Sequence, residues 1–178
     1  MARRKNSEKI KEIEIKLKVN NEKLFRDKLR ELNSKFLDKY EITDCYYTMN
    51  GETLEATESF LRIRTKKEKS ELTFKSGRDT KGKVSERTEI NVSIENPENM
   101  FRILEKLGFN LIRKNRTIRE YFLIDNAELV IVNIIEPINL EFVEIEAKTK
   151  AKVEAVSKLF GKILEPIDSD YFAVLDRP

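Results

Sequence analysis

Histidine is absent from this 178-residue chain, which excludes several kinds of catalytic site. Without it the protein cannot use a Ser–His–Asp triad, a histidine general base or a histidine metal ligand. The single cysteine, Cys45, can form neither an intramolecular disulfide nor a thiolate zinc site, so we expect a protein of a reducing compartment. Any metal must be held by oxygen ligands, which favours Mg²⁺ or Mn²⁺.

Long apolar runs and flexible segments are also missing. No run approaches the roughly 20 residues that a membrane-spanning helix needs, and no apolar signal segment follows the basic residues 1–5. Five glycines and four prolines leave little room for disordered linkers. At 178 residues the chain is long enough for one sizeable domain and too short for two domains of the usual size. We therefore expect one cytoplasmic domain over residues 1–178 that binds no membrane.

The balance of charges limits the partners that the protein can have. Charged residues make up 38% of the chain, well above the usual value of about a quarter. Lys and Arg number 35 against 32 Asp and Glu, so the formal net charge is only +3. A protein that coats nucleic acid needs a clear basic excess, and we expect no nucleic-acid partner. The balance is compatible with a local basic pocket for a small anion.

A stretch near the N-terminus alternates charged and apolar residues, which predicts a strand with one face of each kind. Alone, the pattern would favour a half-buried strand with a solvated polar face. Residues 144–148 repeat it, and paired cations occur at the same two-residue spacing at residues 62–64 and 114–116. Several charged faces, some acidic and some basic, suggest a closed sheet with a polar interior. In the first strand the charged set is Glu12, Glu14, Lys16 and Lys18, and the apolar set is Ile13, Ile15, Leu17 and Val19.

The rest of the pattern predicts about eight strands and three helices. Asn20 or Asn21 is a plausible cap for a first helix, and Thr149 or Lys150 begins the third. Asn96 followed by Pro97 opens the second, which stops at Gly108. Residues 150–178 are expected to form the last helix and a tail that docks on the domain. The predicted strands are residues 10–19, 39–49, 57–65, 71–76, 84–94, 111–123, 129–135 and 140–148.

Residues 77–83 fit most of the phosphate-loop pattern G-x-x-x-x-G-K. However, Val84 stands where Ser or Thr should hold magnesium, and a predicted strand follows in place of the helix that the mechanism needs. We interpret the segment as a hairpin loop and the match as false.

Seven short motifs follow one another across residues 12–146. They are Glu12-x-Glu14-x-Lys16, Asp44-Cys-Tyr46-Tyr47, Leu61-Arg62-Ile63-Arg64, Thr73-Phe74-Lys75, Arg87-Thr88-Glu89, Lys114-x-Arg116 and Phe142-Val143-Glu144-Ile145-Glu146. In this order they resemble the motifs of the CYTH family, also called triphosphate tunnel metalloenzymes. That family takes in class IV adenylyl cyclases, thiamine triphosphatases and inorganic triphosphatases. The resemblance implies an α+β fold, in which an eight-stranded antiparallel β-barrel with flanking helices forms a tunnel for a triphosphate group and divalent metal.

The resemblance also implies roles for particular residues. Fixed cations would replace the hydration of the phosphates, and carboxylates that face one another would need metal or protons between them. Lys75 and Glu14 would take the catalytic roles. The phosphate-binding set would be Lys16, Arg62, Arg64, Lys75, Arg87, Lys114 and Arg116. The metal-binding set would be Glu12, Glu14, Glu89, Asn133, Glu144 and Glu146.

Two features leave the assignment of some residues open. Lys114 lies between Arg113 and Arg116, so which of these cations faces inward depends on strand register, and Arg87 is equally ambiguous. Family members usually carry an Asp in the strand before the last, and here Asn133 stands at about that point. An amide can ligate metal through its carbonyl oxygen but carries no charge.

From these residues we expect a Mg²⁺- or Mn²⁺-dependent triphosphatase that cleaves the terminal phosphate of inorganic triphosphate or a nucleoside triphosphate. A class IV adenylyl cyclase that makes cyclic AMP from ATP is one alternative. A protein that binds triphosphate or polyphosphate without turnover is another. The sequence leaves open whether two subunits pair as a homodimer.

Overall fold

The computed structural model describes residues 11–54, 56–79 and 83–167. These residues form a closed eight-stranded antiparallel β-barrel with three helices outside it, which confirms the fold predicted from the motifs. In the described part of the chain, no helix has the length and apolar character to cross a membrane. The barrel strands are β1 (Lys11–Val19), β2 (Lys35–Met49), β3 (Ser59–Lys66), β4 (Lys69–Asp79), β5 (Ser85–Ile94), β6 (Phe109–Ile124), β7 (Ala127–Glu136) and β8 (Leu140–Glu146). The helices are α1 (Glu22–Glu31), α2 (Pro97–Lys106) and α3 (Lys150–Lys158), and a 3₁₀ turn (Gly161–Ile163) leads into a short strand, β9 (Leu164–Pro166).

The strand β1 closes the barrel. The strands are hydrogen-bonded in the order β5-β4-β3-β2-β6-β7-β8-β1, and β1 also pairs with β5. In this register Glu12 lies opposite Arg87 on β5, and Lys16 lies opposite Glu144 on β8. The charged faces that the alternation predicted therefore meet inside one closed sheet.

The three helices begin at side chains that satisfy their free backbone N–H groups. Asn21 accepts a hydrogen bond from the Leu24 N–H (3.0 Å), and Asn96 accepts one from the Asn99 N–H (2.9 Å). Thr149 caps α3 in the same way. The structure thus selects Asn21 over Asn20 as the first cap and Thr149 as the cap before Lys150, and it confirms Asn96.

Apolar side chains on the outer face of the barrel pack against the helices. Ile13, Ile15 and Leu17 of β1 lie in one buried cluster with Phe25 of α1 and Val153 of α3. A second cluster places Leu104 of α2 against Cys45, Tyr47 and Ile63. Because the apolar set of each covered strand turns outward to a helix, the polar set of the same strand must face the barrel interior.

Several element boundaries differ from the predicted ones. Strand β2 begins at Lys35 and not at residue 39, and β4 continues to Asp79. Strands β4 and β5 are adjacent and antiparallel, as the interpretation of residues 77–83 as a hairpin requires, although residues 80–82 lie outside the described residues. The tail contributes β9, which pairs with β1, while residues 168–178 also lie outside the described part.

The packing of Phe160, which follows the end of α3, against Phe25 of α1 generates a stability prediction. The ring of Phe160 is 1% exposed and lies 5.6 Å from the ring of Phe25, centroid to centroid. Phe160→Ala should lower the free energy of unfolding by about 3–5 kcal/mol, because it removes buried apolar area and leaves a cavity. The neighbouring Leu159, 41% exposed, is the matched control, and Leu159→Ala should cost less than about 1 kcal/mol. Equal losses in urea unfolding would contradict this docking.

Candidate active site

The inner face of the barrel encloses a cavity of about 320 Å³. Among the described residues, seven basic and seven acidic side chains line it, so its fixed charges nearly balance. The basic residues are Lys16, Arg62, Arg64, Lys75, Arg87, Arg113 and Arg119, and the acidic ones are Glu12, Glu14, Glu71, Glu89, Glu128, Glu144 and Glu146. An anion that enters this cavity would upset the balance unless cations accompany it.

Lys75 of β4 holds two carboxylates on one side of the cavity. Its ammonium lies 2.7 Å from both Glu12 oxygens and 2.8 Å from Glu89 Oε2. Burial alone would raise the pKa of Glu89, but Lys75 lowers it to about 2. Burial and the nearby Glu14 raise the pKa of Glu12 in spite of Lys75. Glu12 thus lies where another cation would be stabilised.

Lys16 of β1 holds a second pair of carboxylates. Its ammonium lies 3.0 Å from Glu14 and donates a hydrogen bond to Glu144. Burial opposes ionisation of these groups, yet Lys16 lowers the pKa of both carboxyls, and the two carboxylates together raise the pKa of Lys16. All three side chains are therefore charged at neutral pH.

Asp44 of β2 forms the centre of an arginine cluster. Arg64 donates to its two oxygens from Nε (2.7 Å) and Nη2 (2.9 Å). Arg119 Nη2 lies 3.6 Å from Oδ2, and Arg62 Nε lies 4.0 Å from Oδ1. Although burial opposes it, Arg64 and its neighbours hold the pKa of Asp44 well below its usual range.

Arg119 of β6 connects this cluster to the Lys16 group. Besides its approach to Asp44, it donates from Nη1 to Glu144 Oε2 at 2.9 Å. A line of alternating charges therefore runs from Asp44 through Arg119, Glu144 and Lys16 to Glu14. These five residues come from four strands, so the line ties the wall of the barrel together.

The structure corrects the expectation that Lys114 and Arg116 face the cavity. Lys114 is exposed on the outer face, and Arg116 pairs there with Glu41 at 2.7 Å and with Glu136. The inner face of β6 carries the alternate residues instead. They are Arg113, Asn115, Thr117, Arg119 and Tyr121.

The expectation for Asn133 is wrong as well. Strand β7 turns Leu129 and Ile131 outward to the helices, and Asn133 shares their face because side chains alternate. On the inner side Val130, Val132 and Ile134 line the cavity, with Glu128 nearer the start of the strand. Asn133 therefore does not point into the cavity, and the three central inward positions of β7 are apolar.

The remaining predicted residues lie where the sequence placed them. Glu12, Glu14, Lys16, Arg62, Arg64, Lys75, Arg87, Glu89, Glu144 and Glu146 line the cavity together. The guanidinium of Arg87 lies 5.8 Å from the Phe60 ring centroid.

Sequence reasoning missed the roles of Asp44 and Arg119. Asp44 begins one of the seven motifs, but nothing in that motif showed that its carboxylate is fully buried among arginines. Arg119 follows Arg113 at an even spacing of six residues, so the alternation was compatible with a shared face. That signal was ambiguous because the opposite face of β6 is polar too.

This arrangement can bind a polyanion and concentrate carboxylate oxygens near it. In the described part of the chain, no three carboxylates converge closely enough to hold a metal ion by themselves. Four of the carboxylates pair with lysine ammonium groups, which are cations already in place between them: Glu12 and Glu89 pair with Lys75, and Glu14 and Glu144 pair with Lys16.

The Lys16 group generates a pH-dependent prediction. Glu144→Gln should lower the free energy of unfolding by about 2–4 kcal/mol near neutral pH, because Lys16 and Arg119 lose a buried anionic partner. The folded pKa of Glu144 is depressed. Its stabilising contribution is therefore fully present above the unfolded value of about 4.3 and is lost as the pH falls toward the folded pKa.

Urea unfolding of the Glu144→Gln variant and the parent at several pH values measures this difference. Glu136→Gln is the matched control, since Glu136 pairs with Arg116 on the exposed face, and it should change stability by less than about 1 kcal/mol. A cost of Glu144→Gln that stays constant down to low pH would contradict the charge assignment.

Comparisons with known proteins agree with this architecture. Residues 11–168 match the CYTH domain. A protein of Methanocaldococcus jannaschii, provisionally named an adenylate cyclase, is 30% identical over 154 residues, which cover 86% of each chain. A conserved hypothetical protein of Pyrococcus furiosus has a TM-score of 0.71 at 27% identity, over 89% of this chain and 97% of that one.

A plant structure shows the same fold. The provisionally named adenylyl cyclase of Hippeastrum, described as having a dominant triphosphatase activity, has a TM-score of 0.71 at 21% identity, over 92% of this chain and 94% of that one. The family match spans all eight barrel strands and every inward-facing residue described above, and this chain therefore belongs to the CYTH family.

Proposed function

We propose that the protein is a divalent-metal-dependent triphosphatase that hydrolyses the terminal phosphate of inorganic triphosphate or of a nucleoside triphosphate. One observation carries the proposal. Arg62, Arg64, Arg119, Lys16 and Lys75 reach one buried cavity from four different strands. Their number and burial suit a ligand with several negative charges close together, since charge-assisted contacts replace the water that such a ligand loses.

The oxygen donors fit a hard divalent cation. Carboxylates are the ligands that Mg²⁺ and Mn²⁺ prefer. Burial and the neighbouring Glu14 raise the pKa of Glu12, so a cation bound beside these two carboxylates would stabilise their charged forms. Glu12, Glu14, Glu89, Glu144 and Glu146 are the residues that would hold the metal. Because three of them do not converge on one point among the described residues, phosphate oxygens of the substrate would complete the ligand set, as is usual for Mg²⁺.

The chain's own residues would bind and orient the triphosphate. The arginines are suited to bidentate contacts with phosphate oxygens, and the lysines act as point charges that neutralise them. When bound, the divalent metal would supply Lewis-acid stabilisation and an activated water. Glu14, kept ionised by Lys16, would orient the attacking water, and Lys75 would stabilise the charge that develops on the oxygen of the leaving diphosphate group. No group of neutral pKa is needed, which is consistent with the absence of histidine.

Two alternatives each have one supporting observation. The name of the Methanocaldococcus jannaschii relative supports a class IV adenylyl cyclase. The apolar inner face of β7 supports a protein that binds triphosphate without turnover, because that wall offers no carboxylate at its three central positions.

A product assay with purified protein separates the three functions. With Mg²⁺ or Mn²⁺, inorganic triphosphate and ATP should release free phosphate. Ca²⁺ in excess should inhibit, since its looser coordination misplaces the attacking water, and a chelator should abolish turnover. Glu14→Gln, which removes a charge from the cavity, is the control for contaminating phosphatases and should be inactive.

The other outcomes identify the alternatives. Cyclic AMP and pyrophosphate from ATP would establish the cyclase, and bound ligand recovered unchanged would establish the binding protein. Full activity in the presence of chelator would rule out the metal-dependent mechanism.

A further inference from the structure

We infer that Asp44 is a positioning residue that holds the arginines of the cavity wall in the arrangement that binds phosphate. The inference rests on the proposed function and assigns a role to a residue behind the site. Asp44 is 0% exposed, whereas Arg62, Arg64 and Arg119 line the cavity. Asp44 therefore acts on a ligand through these side chains and not by touching it.

The strand register explains how one carboxylate reaches three guanidinium groups. Asp44 lies on β2, directly opposite Arg64 on β3 and opposite Asn115 on β6. Arg62 and Arg119 approach it from the same two neighbouring strands, at 4.0 Å and 3.6 Å. In this place Asp44 is the anion common to both sides of the wall.

Three cations in a buried wall repel one another, and this repulsion is strong where water is excluded. The two hydrogen bonds from Arg64 to Asp44 fix the plane of that guanidinium. Even with Glu144, which pairs with Arg119, the three cations outnumber the two anions, so the cluster stays positive and can still attract phosphate. The geometry thus combines orientation with a surplus of positive charge.

Arg62 has a second contact that holds it in place besides its approach to Asp44. Arg62 is 8% exposed, and it donates from Nη2 to Thr73 Oγ1 at 3.2 Å. Its buried Nε has no hydrogen-bond partner among the described residues. That Nε lies 4.0 Å from Asp44 Oδ1, so charge attraction and not a hydrogen bond joins Arg62 to Asp44.

The test measures the affinity for inorganic triphosphate by calorimetry, at one fixed Ca²⁺ concentration at which turnover is suppressed. Asp44→Asn keeps the shape of the side chain and removes its charge. We expect it to raise Kd about tenfold or more, because the arginines separate. If Asp44 only reduced the positive charge of the cavity, its removal would tighten binding.

Two further variants distinguish positioning from general damage to the fold. Glu41→Gln removes a carboxylate from the same strand, but one that pairs with Arg116 on the outer face, and should change Kd by less than about twofold. In an Arg64→Gln background, Asp44→Asn should cost about twofold or less, because its main partner is already gone. Unchanged or tighter binding by Asp44→Asn alone, or a full tenfold cost in that background, would overturn the inference.

If the Asp44→Asn variant does not fold, a charge-balanced variant takes its place in the test. The double variant Asp44→Asn/Arg64→Gln removes the anion together with its main cation, and it should bind within about twofold of Arg64→Gln. A change of about tenfold in either direction between these two would overturn the inference. If the parent protein does not bind triphosphate, the proposed function and this inference fail together. Normal binding by the parent and unchanged binding by Asp44→Asn would overturn the inference alone.

Discussion

Compensation of buried charge between strands is the constraint on which the rest of the structure depends. A barrel whose interior is lined with carboxylates and cations would be unstable if each charge lost its hydration alone. Here Lys75 lies between Glu12 and Glu89, and Lys16 lies between Glu14 and Glu144. Each contact joins different strands, or positions two residues apart on the inner face of one strand, so the closed sheet and the charged interior require one another.

The same constraint makes the interior suitable for a ligand. The cations are held in place before any anion arrives, so little ordering of side chains remains to be done on binding. The carboxylates that hold the lysines are also oxygen ligands, so a divalent cation could take over part of their compensation. Phosphate and metal binding would thus be coupled through Lys16 and Lys75.

The alternation of apolar and polar residues along the strands made much of the fold predictable. Where this alternation is absent, the inward-facing residues were predicted wrongly. On β1, Ile13 and Ile15 had to face a helix, so Glu12 and Glu14 had to face inward. On β6 both faces of the segment around Arg116 are polar, so periodicity could not identify the inward set. The buried environment of Asp44 was also beyond sequence reasoning, because it arises from contacts between three strands.

The central claim is that cations on the inner face of the barrel, and not those on its outer face, bind the triphosphate. Arg119 and Arg116 test it most directly, since they lie three residues apart on β6 and face opposite ways. Calorimetry with inorganic triphosphate should show that Arg119→Gln raises Kd by about tenfold or more. Arg116→Gln should leave it within about twofold. Equal effects, or a larger effect at Arg116, would contradict the account.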